Sequence, residues 1–295
     1  MAKSIRLRMI TPLLFIAPAL LYLGIWIYYP IINNAYLSFL SAPRPRSRDY
    51  FFVGLQNYID LFKDDLFLRS LWHNIVWVLL SIAIPVVLGL VLAVLLAERR
   101  HTRLFYAGIF FIPQTIAAVI AAIVWRWIYD PNIGPLNLAL EAVGLPALKQ
   151  LWLANESLAL ICMNMVGSWT YVGFCVLIFL AGLQNISPQL YEAAVIDGAG
   201  PLQRFFYITV PLLRRTTLFV VVYTIIGSMK FFDLIFVATR GGPGQATFVV
   251  GLYIYNLLLH QGRINYASTM STVLTLIILS LSVILIRIII SEREA

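Results

Sequence analysis

Charge is scarce in this chain. Only 12% of its 295 residues are Asp, Glu, Lys or Arg, against about 25% in ordinary soluble domains, too few to wrap a domain of this size in a hydrated surface. Cysteine is nearly absent as well. Cys162 and Cys175 fall in one apolar run and, on a helix, stand about 20 Å apart along its axis, beyond the reach of a disulfide. No G-x-x-x-x-G-K-[ST] occurs, and no lysine follows a glycine anywhere. The chain therefore cannot cradle ATP phosphates in that way, and energy for any work must come from another subunit or a gradient. His73, His101 and His260 are isolated, with no second His or Cys at ligand spacing, which argues against a metal site. Neither G-x-S-x-G nor H-E-x-x-H is found, so a membrane hydrolase or protease has no site to stand on. The net charge is +8, but the basic residues are scattered through short segments rather than gathered on a stripe, as nucleic-acid binding requires.

What is plentiful is apolar. Hydrophobic residues make up 61% of the chain and the mean hydropathy is +0.88, the composition of an integral membrane protein. Six runs are long enough to cross a hydrocarbon core of about 30 Å: residues 11–29, 75–96, 104–127, 158–183, 216–238 and 269–290. The expected fold is all-α and polytopic. Lys3, Arg6 and Arg8 precede the first run. It exceeds a usual signal core, ends in Trp26, Tyr28 and Tyr29 and shows no small-residue cleavage site, so it reads as a retained span. Residues 30–70, with Arg44, Arg46, Arg48, Asp60, Asp64 and Asp65, read as an external loop. Within it Leu55, Tyr58, Ile59 and Phe62 have the spacing of a short surface helix. Arg99, Arg100 and Arg103 in the next turn place that turn in the cytoplasm. The external loops also carry arginines, so charge settles only part of this orientation, with both termini and residues 184–215 on the same side.

That last segment is the one a hydropathy argument alone does not produce. LYEAAVIDGAGPLQRFFYITVP, residues 190–211, carries Glu192, Asp197 and Arg204 between two apolar runs and so must lie in water. Its grammar predicts two short helices and a hinge. Ser187 can cap the first and Pro188 fits its first turn. Gly198 and Gly200 end it, Pro201 starts the second, and Phe205, Phe206 and Ile208 form an apolar stripe. A helix that rests on lipid wants bulky apolar side chains opposite a basic face. Here Ala193 and Ala194 stand beside two acids, and small side chains let another protein approach closely.

The order E-A-A-x-x-D-G-A followed by I-x-V-P resembles the EAA loop of ABC importer permeases. GLQNY from Gly54, IPQTIAAVIAAIVWRWIY followed by DPNIGPLN, and the Gly-Pro run TRGGPGQAT from Thr239 resemble the sugar branch, in particular its maltose-, lactose- and glycerol-3-phosphate-type first permease subunits. The resemblance implies a type I ABC importer architecture, with residues 1–295 as a single transmembrane permease domain in a bacterial or archaeal plasma membrane; the orientation, both termini and residues 184–215 cytoplasmic, rests partly on it. It implies a chain that is no enzyme and holds no cofactor, with ATP and magnesium in two partner ATPase subunits. It implies a second, related permease and an external solute-binding protein, with a sugar or polyol as cargo. Carried onto this chain, ATPase coupling falls to Glu192, Ala193, Ala194, Asp197 and Gly198.

Polar residues within spans should face protein or a watery cavity, because an unpartnered polar group in hydrocarbon is costly. In the fourth span Asn164, Gly167, Ser168, Tyr171 and Phe174, with Thr170 at the margin, recur at three- and four-residue intervals and share one face. Thr224, Ser228 and Phe231 do so in the fifth span, and Gln114 with Ala118 in the third. Hydroxyls, amides and rings suit a sugar, and in the family these spans build the solute path. Small and hydroxylated residues also mediate helix packing, a second reading for Gly167, Ser168 and Ser228. Lys230 and Asp233 are expected to pair across one helical turn. The alternative function is an ion-coupled secondary transporter, which needs carboxylates inside spans and usually shows repeated halves. Asp233 is the one such acid, and no internal repeat is visible.

Overall fold

The computed structural model describes residues 15–99 and 101–294. Lys3, Arg6, Arg8, Arg100 and the start of the first expected span lie outside them. Helices dominate, and among the described residues the strands are only β1 (Leu40–Ser41) and β2 (Phe51–Phe52), paired antiparallel. Among the described residues four helices are long and apolar enough to cross a membrane, or up to six if each of two bent pairs is one span. The chain divides into two compact units, one of residues 1–65 and 254–276, the other of residues 66–253 and 277–295.

In the first unit, α1 (Phe15–Ser38) runs nine residues past the expected end at Tyr29, through Pro30. A π turn, Gly24–Tyr28, sits just before that proline, the kind of local adjustment that lets a helix absorb a missing N–H. The short helix α2 (Gln56–Leu61) forms where expected, but its buried residues are Asn57 and Leu61, while Leu55, Ile59 and Phe62 are exposed. The reason is polar: Asn57 Nδ2 donates to the carbonyls of Ser38 and Leu40 at 2.9 and 2.8 Å and satisfies the end of α1. Asn34 donates to Ser268 O and Thr272 Oγ1, and Thr269 Oγ1 donates to Ser38 O. Side-chain amides and hydroxyls thus stitch this unit where apolar contact offers no gain over lipid.

The second unit begins with α3 (Asp65–Ala97), a 33-residue helix interrupted at Ile84 by Pro85. The third expected span breaks into α4 (Arg103–Thr115) and α5 (Ala118–Ile128), bent by 92°. Pro113 and a 3-10 turn at Ile112–Thr115 end α4, and Ile116 and Ala117 are extended. Helix α6 (Pro135–Ala142) follows, and the segment around it is knotted on buried Asn137, which accepts from Trp152 Nε1 at 2.9 Å and donates to the carbonyls of Pro131 and Gln150. Asp130 caps this turn. Its carboxylate accepts from the backbone N–H groups of Ile133 and Asn132, which hold it below the usual carboxylate range.

Helix α7 (Glu156–Leu183) is the axis of this unit and packs most extensively on the second half of α3, then on α4. Two glycines permit the approach: a Cβ at Gly89 would overlap Cys175, and one at Gly173 would overlap the Phe110 carbonyl. After the loop helices α8 (Pro188–Ile196) and α9 (Pro201–Leu212), α10 (Arg214–Met229) sets off at 67° to α9. The fifth expected span, 216–238, is not continuous, because α10 stops at Met229 and α11 (Asp233–Ala238) starts anew. Buried Asn74 braces the break, donating to Met229 O at 3.2 Å and accepting from Val250 N at 2.9 Å. Helix α12 (Val250–Tyr255) precedes the last helix, α13 (Ile264–Glu294). The expected Lys230–Asp233 pair does not form: both side chains are exposed, and the break puts them on different helices.

Replacing Gly173 by Leu should abolish most of the folded protein, since the neighbour is backbone and cannot yield; overpacking of this kind costs about 1–3 kcal/mol or more. Gly108→Ala, where a Cβ meets nothing within 4 Å, should leave the yield unchanged. Fluorescence-detected size exclusion of the two variants beside wild type is the measurement.

A mid-span cavity and an exposed loop helix

A cavity of about 240 Å³ opens among α3, α7, α10 and the break between α4 and α5. Gly167, Ser168, Thr170 and Tyr171 reach it from α7, Thr224 and Ser228 from α10, Phe231 from the break after it, and Gln114 from the end of α4. The regular three- and four-residue periodicity of α7 and α10 brings these side chains to one place. Three expected path residues are not on its wall. Asn164 is fully buried and donates to Trp77 O at 3.1 Å and Ser81 Oγ at 3.0 Å, so its amide is used to dock α7 on α3. Phe174 lies one layer away, stacked on Tyr171 and Tyr223 with centroids 5.3 and 4.9 Å apart. Ala118 shares no face with Gln114, because the 92° bend falls between them.

Sequence periodicity missed the contribution of α3. Trp77, Ser81 and Pro85 line the cavity, as do Tyr223 and Gly227 of α10, and Trp77 stacks on Phe231 at 3.8 Å between centroids. The signal was present as Trp77 and Ser81 at helical spacing four in the second run. Several polar groups on the wall are already used. Thr170 Oγ1 donates to Gly167 O, Ser168 Oγ to Asn164 Oδ1, and Thr224 Oγ1 to Val220 O while lying 3.1 Å from the Tyr171 hydroxyl. The Gln114 amide and the Ser228 hydroxyl have no protein partner among the described residues. What remains is a wall of rings with a few free hydrogen-bonding groups. At about 240 Å³ it is smaller than the roughly 300–1,000 Å³ usual for a complete small-molecule site.

The segment 184–215 is a second site of different character. Helix α8 buries none of its residues. Glu192, Ala193 and Asp197 are exposed and Ala194 is half-buried. Ser187 occupies the N-cap position without making the expected side-chain cap. The C-terminal end is built as expected: Gly198 takes φ +77°, with its N–H on Val195 O at 3.0 Å and that of Ala199 on Ala194 O at 2.8 Å, a Schellman closure. A hydrogen bond of 2.9 Å between the Tyr191 and Thr209 hydroxyls holds α8 to the π turn Phe205–Thr209. Ile196 is 86% and Tyr207 80% exposed.

A family model described as "Binding-protein-dependent transport system inner membrane component" matches residues 67–293. The chain is 37% identical over 275 residues to the probable ABC transporter permease protein YurN of Bacillus subtilis (strain 168), covering 92% of this chain and 94% of that protein. It is 30% identical over 276 residues to the lactose transport system permease protein LacF of Rhizobium radiobacter, covering 91% and 90%. Its fold matches that of a chain in the crystal structure of a bacterial alginate ABC transporter in complex with an alginate pentasaccharide-bound periplasmic protein, with TM-score 0.82, 22% identity and coverage of 96% and 94%. The chain belongs to the binding-protein-dependent transport system inner membrane components, as a permease subunit of an ABC importer.

Proposed function

We propose that this permease forms one half of the solute path for a sugar or polyol and is driven through α8 by a separate ATPase. The cavity carries the first half of this reading. Rings such as Trp77, Tyr171 and Phe231 can stack on the C–H faces of a sugar, while the Gln114 amide and Ser228 hydroxyl can bond its hydroxyls. Its small volume suits a site completed by a second permease, a paralogue or a second copy. The lactose system named for one relative supports the cargo class. In this reading residues 1–295 act as one permease domain, and a solute-binding protein delivers cargo from outside. Both termini and α8 face the cytoplasm, and ATP and magnesium are held by two partner ATPase subunits and not by this chain.

Tyr171→Ala and Phe231→Ala should each lower solute uptake by about fivefold, since ring contacts of this kind are worth roughly 1 kcal/mol. Ser228→Ala should shift solute preference, and basal ATPase activity and complex yield should survive all three. Uptake and yield falling in proportion in every variant would make these residues packing seams only.

For α8, a Cβ at Gly198 meets nothing within 4 Å, so within this chain Gly198→Ala carries only the left-handed backbone strain of roughly 1 kcal/mol. Gly198→Leu and Glu192→Lys should reduce solute-stimulated ATPase activity by about tenfold, within the range of ordinary coupling energies, and weaken co-purification of the ATPase. Full stimulation in both variants would show that this loop does not transmit the drive.

A further inference from the structure

Behind α8, at the ends of two spans, lies a cavity of about 560 Å³ that the transport reading does not use. Ala97, the last residue of the 65–97 helix, and Leu183, the last of α7, stand on its wall. Arg103 and Arg204 enter it from α4 and α9. Arg204 Nε is buried and has no hydrogen-bond partner among the described residues, a donor that is costly to leave unsatisfied. Arg103 is the first residue of α4, whose N-cap Thr102 makes no side-chain cap; a cation there is opposed by the helix dipole unless an anion joins it. Glu98 also lines the cavity, but neither arginine is within ion-pair distance of it among the described residues. Two guanidiniums face one carboxylate on this wall, Arg204 also bordering the neighbouring pocket that Asp197 lines.

We propose that this cavity holds the phosphate of an anionic phospholipid headgroup. Guanidinium forks suit phosphate oxygens. The walls turn apolar at Val94, Leu180 and Leu183, and Leu104 and Phe105 beside the cavity are each 69% exposed, as expected at the boundary between headgroups and acyl chains. Basic pockets between spans at a membrane face are where such headgroups are taken. A bound headgroup would touch Pro188 and Tyr191 and stiffen the first turn of α8.

The test uses the complete importer in detergent. Native mass spectrometry counts phosphatidylglycerol retained against phosphatidylcholine in wild type, Arg103→Gln/Arg204→Gln and Arg99→Gln, the last removing a nearby exposed charge outside the cavity. Retention should fall on the order of fivefold per cavity arginine removed and stay at the wild-type level in Arg99→Gln. Hydrogen exchange on wild type, which needs no variant to fold, should slow in residues 187–210 when phosphatidylglycerol replaces phosphatidylcholine. Equal retention in the double variant, or an equal loss in Arg99→Gln, would overturn the site. Displacement of the lipid by millimolar inorganic phosphate would overturn the lipid source and assign the arginines to a soluble phosphate.

Discussion

Helix α7 can lie against α3 and α4 only because Gly89 and Gly173 carry no side chain, and most of the second unit follows from that closeness. In lipid, apolar contact between helices brings no hydrophobic gain, so association rests on tight van der Waals fit and on polar groups that find partners in protein. The glycines provide the fit. Asn164 provides the polar anchor, reaching Trp77 O and Ser81 Oγ across the same seam. With α7 fixed at this distance, Ser168, Thr170 and Tyr171 are presented to one side, and the cavity forms where α10 cannot close the remaining gap.

The breaks in the helices have the same logic. Non-helical backbone at membrane depth is tolerated where it is enclosed by protein or lines a cavity. The turn after Pro113 places Gln114 on the cavity wall, and the break at Lys230 places Phe231 there, stacked on Trp77. Asn74 satisfies backbone groups on both sides of the second break, Met229 O and Val250 N. A straight helix through either point would have presented only every third or fourth residue to the cavity. The bends let chain ends contribute instead, and at the second break the freed backbone is held by the buried Asn74 amide.

The loop 184–215 works by the opposite principle. It buries little of itself and keeps its shape through local closures: the Schellman turn at Gly198, the Gln203 side chain accepting from Gly200 N, and the Tyr191–Thr209 hydrogen bond. Only its ends reach the core, through Ile186 and Leu213, with Tyr191 packed against them. It leaves Ile196 and Tyr207 uncovered.

The all-α membrane architecture, the position of the E-A-A loop and the faces of α7 and α10 were legible in the sequence. They depend on run length and on a period of 3.6 residues, which are local properties. Gly198 as the stop of α8 was legible for the same reason, since the need for a left-handed residue is written in the backbone of one position. The rest needed the tertiary structure. Pro30 did not end α1 while Pro113 ended α4, because a neighbouring turn, and not the proline alone, settles whether a helix continues. Asn164 and Gln114 look alike as polar residues in apolar runs, yet one anchors a helix seam and the other faces the cavity. That difference lies in what the opposite helix brings within hydrogen-bonding distance, Trp77 O and Ser81 Oγ for Asn164 and open space for Gln114, and no local pattern records it.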